Sequence, residues 1–147
     1  MNRSLTNVEF FAYEGEVWYR RPDTSIDKLR ESDSEILDEL IDHISTFYPK
    51  AYEALCAEYK GCALNRSYYR YRLACRFIRC NFAQLDNIPD FSDTCCCSFE
   101  FVPCPLRGEC RHEMVICRPE FDHRLSAAEM PVLRLWFNGL SIDNIAV

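Results

Sequence analysis

Between Ser34 and Cys80 the apolar residues fall into three runs at helical spacing, cut at Tyr48-Pro49 and at Gly61. In the first run Ile36, Leu37, Leu40, Ile41 and Ile44 share one face, which predicts a helix over Ser34 to Phe47. Ser32 or Ser34 is placed to cap it, and Glu35, Asp38 and Glu39 suit its positive N-terminal end. Proline disfavours helix in the residue before it and fits a first turn. A second helix is therefore expected from Pro49, with Tyr52, Leu55, Cys56 and Tyr59 on one face and Gly61 at its end. The third run puts Tyr69, Leu73, Phe77 and Cys80 on one side of a helix from Arg66 or Ser67 to Cys80. Helices of these lengths predict a small antiparallel bundle.

Ahead of the bundle, Val8 to Arg21 alternates and is rich in aromatics on either side of Glu14-Gly15, the pattern of a β-hairpin that packs on the helices. Pro22-Asp23-Thr24-Ser25 breaks that pattern. Behind the bundle, Asn81 to Thr94 reads as a loop and Ser98 to Val102 as a short strand.

The ten cysteines need a compartment before they can be interpreted. No apolar run approaches the length of a membrane span, and Met1 to Phe11 is too short and too charged for an export segment. A cytoplasmic chain is expected, and in a reducing compartment metal binding or plain burial is favoured over a disulfide framework. Cys104, Cys110 and Cys117 are separated by five and six residues, and 23 residues lie between Cys80 and Cys104. Four thiolates can hold one tetrahedral zinc, so Cys80, Cys104, Cys110 and Cys117 are the candidate ligands of one structural zinc ion. Arg107-Gly108 would let its amides turn toward the thiolates, with arginines nearby to offset their charge. Cys95, Cys96, Cys97, His112 and His123 are possible substitutes. The alternative is that all four pack as reduced, buried thiols, the reading that Cys56, Cys62 and Cys75 invite.

The last segment has its own punctuation. Leu125-Ser126-Ala127-Ala128-Glu129 is a capping box, with Ser126 as cap and the Glu129 carboxylate reaching back. Met130, Leu133, Trp136 and Phe137 form an apolar stripe, Gly139 suits a left-handed helix end, and Ser141 can cap a helix containing Ile142, Ile145 and Ala146. Helix, glycine turn and capped helix in that order is the helix-turn-helix signature. Pro131 removes one early helical hydrogen bond, so a kink or a later helix start is expected.

Leu-Ser-Ala-Ala-Glu-Met-x-Val-Leu-x-Leu followed by Asn-Gly-Leu-Ser-x-x-x-Ile-Ala resembles the opening of a LuxR-type (GerE-like) DNA-binding domain. Arg76 to Phe82 and Phe99 to Cys110 resemble a group of small LuxR-related regulators of Bacteroidetes and their mobile elements, in which a helical part and a cysteine knuckle precede that domain. The resemblance implies a transcriptional regulator with Ser126, Glu129, Leu133, Gly139, Ser141, Ile145 and Ala146 as the helix-turn-helix scaffold. It also implies a chain truncated before the recognition helix, with no residue left for DNA base contacts. DNA is then the partner of the full-length family and not of this chain alone.

The charge balance points the same way, since a net −6 has the wrong sign for neutralising phosphates. Arg66, Arg70, Arg72, Arg76 and Arg79, interleaved with Tyr68, Tyr69 and Tyr71, form a basic aromatic helix. It would suit nucleic acid, but the acidic face of Glu31, Asp33, Glu35, Asp38, Glu39 and Asp42 is the nearer match. No phosphate loop, nucleophile elbow or catalytic constellation is present, so no enzyme activity is expected. The competing class is a zinc-stabilised protein-interaction module that binds a protein partner or forms a homodimer, with no membrane involved.

The expected fold class is mainly α: an N-terminal β-hairpin plus a small helical bundle, a cysteine-rich knuckle, and a partial C-terminal helix-turn-helix. The corresponding domain spans are 1–94, 95–122 and 123–147.

Overall fold

The computed structural model describes residues 5–82, 84–91, 97–122, 126 and 128–139. Strands β1 (Glu9–Tyr13) and β2 (Glu16–Arg20) pair antiparallel with Phe10 opposite Tyr19 and Ala12 opposite Val17. Glu14 and Gly15 both take positive φ, 49° and 76°, the geometry a two-residue turn needs to match strand twist. A third strand, β3 (Ile26–Lys28), pairs antiparallel on the far side of β2. Helices α1 (Ser34–Phe47), α2 (Pro49–Glu58) and α3 (Arg66–Asn81) follow, with a single 3-10 turn at Lys60–Cys62, and α4 (Glu129–Phe137) comes last.

The expected mainly α class is overturned: the protein is a mixed α/β fold built on a three-stranded antiparallel sheet. Two physical causes account for the difference. The break at Pro22 to Ser25 is the turn of a second hairpin, closed by Arg21 N–H donating to Ser25 O at 2.9 Å and by the Asp23 carboxylate accepting from the Ser25 amide at 2.9 Å. The sheet also packs into the core and is not an appendage. Phe10, Val17 and Tyr19 are buried with Leu40, Ile44, Leu55, Leu73 and Phe77 in one cluster.

Other local expectations are corrected too. Ser98 to Val102 forms no strand, because the only pairing there among the described residues is an isolated Phe91–Cys97 bridge. Neither Ser32 nor Ser34 caps α1; Asp33 sits at its N-cap and spends its carboxylate on the Arg30 amide at 2.8 Å. Gly61 lies inside the 3-10 turn, and α2 ends at Glu58 before it.

Helix α3 positions everything that follows. It packs on α1, α2 and the sheet, and Asn65 caps it by accepting from the Tyr68 amide. Phe77, Ile78, Asn81 and Phe82 are fully buried at its C-terminal end. Phe10, Phe82 and Phe91 meet there with ring centroids 5.7–6.4 Å apart. Their burial contributes roughly 1.5–3 kcal/mol per ring, with about 0.5–1.5 kcal/mol more from ring-to-ring geometry.

Candidate metal centre

Cys80 leaves the last turn of α3 and faces the turns that run from Cys104 to Cys117. Cys80, Cys104, Cys110 and Cys117 line one cavity of about 260 Å³. Arg76, Arg79 and Arg107 also line it, the Arg79 guanidinium donating to the Gly15 carbonyl and that of Arg107 to the Val102 carbonyl, and Val102, Leu106 and Ile116 make the rest largely apolar. Burial pushes the Cys80 thiol above the usual range, Arg76 pulls it down, and Cys117 and Cys104 push it up again.

The sulfur atoms are already in contact with donors. The His112 amide donates to Cys110 Sγ at 3.4 Å, and the Met114 amide to Cys117 Sγ at 3.2 Å. Arg76 Nη2 approaches Cys110 Sγ at 3.8 Å. Gly108 does not play the part expected of it: its amide donates to the Glu113 carboxylate at 2.9 Å. As the side chains stand, no three cysteines, histidines or acids among the described residues converge as a ligating group.

Of the substitute ligands His112 also lines the cavity, but its ring is held by Glu58; the others are engaged elsewhere or undescribed. His112 Nε2 contacts Glu58 Oε2 at 3.0 Å, and His112 together with Arg111 holds the Glu58 carboxyl down to about 2. Cys97 Sγ lies 3.2 Å from His43 Nε2, whose basicity burial lowers. Cys95, Cys96 and His123 lie outside the described residues. Cys56 and Cys75 sit on helices beside Tyr52 and Tyr71, away from this cavity.

What ties the cysteine turns to the bundle is a residue that helical periodicity does not pick out. Asn81 is fully buried; its Nδ2 donates to Phe77 O at 3.0 Å and Ile116 O at 2.9 Å, and its Oδ1 accepts from Arg118 N–H at 2.8 Å. Its carbonyl accepts from the Glu100 amide at 2.9 Å. A polar residue immediately before a buried Phe82 is the one sequence cue to this role.

Most of the basic face of α3 is engaged inside the molecule. Arg70 pairs with Asp38 of α1, Ser67 donates to Glu31 at 2.7 Å, and Arg72 lies 5.0 Å from the Tyr59 ring centre. Arg79 donates to the Gly15 carbonyl in the β1–β2 turn.

At the C-terminal segment, Ser126 and Glu129 exchange both bonds of a capping box. Ser126 N–H donates to Glu129 Oε2 at 2.7 Å, and Glu129 N–H to Ser126 Oγ at 3.2 Å. With the helix assigned from Glu129, Pro131 falls in its first turn, where a missing N–H costs little. Gly139 takes φ +92° after the Asn138 cap. Leu133 is exposed beside Trp136 and Phe137, which are 58% and 84% exposed, and α4 packs on no other helix or strand among the described residues. Ser141, Ile145 and Ala146 lie outside the described residues. No described helix is long and apolar enough to cross a membrane.

No family model, curated protein or solved structure matches this chain.

Proposed function

We propose that the chain is a transcriptional regulator of the LuxR-related class, in which β1–β3, α1–α3 and the cysteine turns form a folded body and α4 is the first helix of a helix-turn-helix unit carried apart from it. One observation carries this reading. Helix α4 has its own cap at the start and a left-handed glycine after its end, yet it leaves Leu133, Trp136 and Phe137 in solvent. A helix that completed the bundle would bury that stripe, because leaving a large apolar side chain exposed forgoes about 1.5–3 kcal/mol. The first helix of a helix-turn-helix buries it against the other helices of its own unit.

DNA is the partner of that complete unit. Residues 126–146 correspond to its opening and hold no counterpart of the helix that reads base edges. The 147-residue chain, with net charge −6, is therefore expected to give no sequence-specific shift in a gel-mobility assay at physiological salt. The direct test is a graft. Residues 126–146 replace the corresponding opening of a well-behaved LuxR-type domain, and the chimera is expected to fold and to keep that domain's operator preference. A chimera that is unfolded, or a specific salt-resistant shift by the 147-residue chain itself, contradicts the reading.

The acidic charge and the exposed stripe together favour a second reading, an interaction module in which a protein partner or a second copy covers α4. Failure of the graft combined with a dimer in sedimentation that Trp136→Ser abolishes would select it.

A further inference from the structure

We propose that Cys80, Cys104, Cys110 and Cys117 form a structural four-thiolate site for one zinc ion, which closes the cysteine turns onto the end of α3. This goes beyond the regulator reading and does not depend on it.

The first argument is a shared cavity. Two of the four come from turns 104–110 and 110–117, one ends the second turn, and Cys80 comes from a helix 24 positions earlier, yet all four reach the same cavity. Among the described cysteines, Cys56, Cys62, Cys75 and Cys97 do not line it.

The second argument is the set of donors. A neutral thiol is a weak acceptor, and a thiolate is a strong one. Two backbone amides and the Arg76 guanidinium are nonetheless spent on the sulfurs of Cys110 and Cys117. The Cys110 contact joins a sulfur to the amide two residues on, which is how a tight turn presents a sulfur to a metal while stabilising its charge. Four thiolates and one divalent cation leave a net charge of −2, and the Arg76 guanidinium at Cys110 Sγ is placed to offset part of it.

The third argument is what the segment lacks. Residues 101–118 contain no helix or strand, and Ile116 is their sole member of the buried hydrophobic core. They also hold Met114 at φ 62° and Arg118 at φ 47°, left-handed conformations that side chains other than glycine adopt reluctantly. A stretch with so little apolar burial and two such residues needs a staple, and a tetrahedral metal bound by thiolates is the staple this residue set fits. Binding draws the four sulfurs inward across the cavity to metal–sulfur distances of about 2.3 Å, releasing one proton for each thiol that was still protonated.

The test is the metal content of the full chain, expressed with zinc in the medium and purified under reducing conditions. Elemental analysis is expected to find one zinc per chain. Cys104→Ser and Cys110→Ser should each lower the retained zinc at least tenfold after dialysis against a mild chelator, while Cys62→Ser keeps it. If those two variants fail to fold, the wild-type chain decides the matter through cobalt. Cobalt(II) loaded into the metal-free protein should give intense thiolate-to-cobalt charge transfer and the visible bands of tetrahedral coordination, and zinc should bleach both. Trace zinc in the wild-type chain, unchanged zinc in Cys104→Ser and Cys110→Ser, or cobalt bands without thiolate character each overturn the proposal. So does a disulfide between any two of the four in the reduced preparation.

Discussion

Asn81→Leu is expected to destabilise the protein by about 2–5 kcal/mol, because each buried backbone group that loses its partner costs about 1–3 kcal/mol. Leucine has the branching and heavy-atom count of asparagine but is larger, so no cavity opens and the loss combines broken hydrogen bonds with overpacking. The Ile116 carbonyl and the Arg118 amide would both lose the side chain that joins them to α3. These two groups flank Cys117, so the damage falls where the cysteine turns meet the bundle. Urea denaturation followed by circular dichroism, with the wild-type and variant slopes compared, measures it. A change below about 1 kcal/mol would mean that the two backbone groups find other partners, as an exposed site would allow.

The second large effect depends on pH. Asp90 is 2% exposed, and its Oδ2 accepts from the Phe10 amide at 2.5 Å. Burial pushes its carboxyl up to about 9; the Phe10 bond opposes the shift, and Glu100 and Glu9 add to it. Glu9 is raised in the same direction by its own burial, although the amides of Asp86 and Asn87 donate to it at 2.6 and 3.1 Å. The folded state therefore keeps a proton on Asp90 across a window, from the ordinary 3.8 up to about 9, in which the unfolded chain has released it. Unfolding releases that proton, so stability falls as pH rises through the window, by up to about 1.4 kcal/mol per pH unit for one proton.

Asp90→Asn removes the proton but keeps an oxygen for the Phe10 amide and offers N–H to the Glu100 side. The variant should match the wild type near the acid end of the window. At about pH 8 it should be more stable by roughly 2–5 kcal/mol, with a flatter profile between. Thermal or urea unfolding across the range tests this, and two parallel profiles would contradict it.

The helices were legible for a plain reason. A 3.6-residue apolar stripe and a proline at a first turn are local features, and α1 spans the same Ser34–Phe47 that its periodicity predicts. β3 was not legible, because Ile-Asp-Lys has no alternation to read and gains its place only through pairing with β2. Ser98 to Val102 misled in the opposite direction. Phe99 alternates with Phe101 as in a strand, but Phe99 packs against Tyr48, Phe77 and Phe82, while Phe101 lies under Arg107 and Arg118. At the site, cysteine spacing nominated the four residues that share the cavity. Asn81 and Asp90 escaped notice because a polar residue becomes structural through partners 35 to 80 positions away.

The central claim is that α4 belongs to a folding unit separate from the body, as the first helix of a DNA-binding unit must. A Leu133→Ser, Trp136→Ser double variant tests it most directly through the equilibrium unfolding of the body, monitored by the amide exchange of α1 and α3. The account predicts a change within about 0.5 kcal/mol, the usual effect of substitution at a surface site. A loss of several kcal/mol, the cost of truncating packed apolar side chains, would show that α4 docks on the bundle and would contradict the claim.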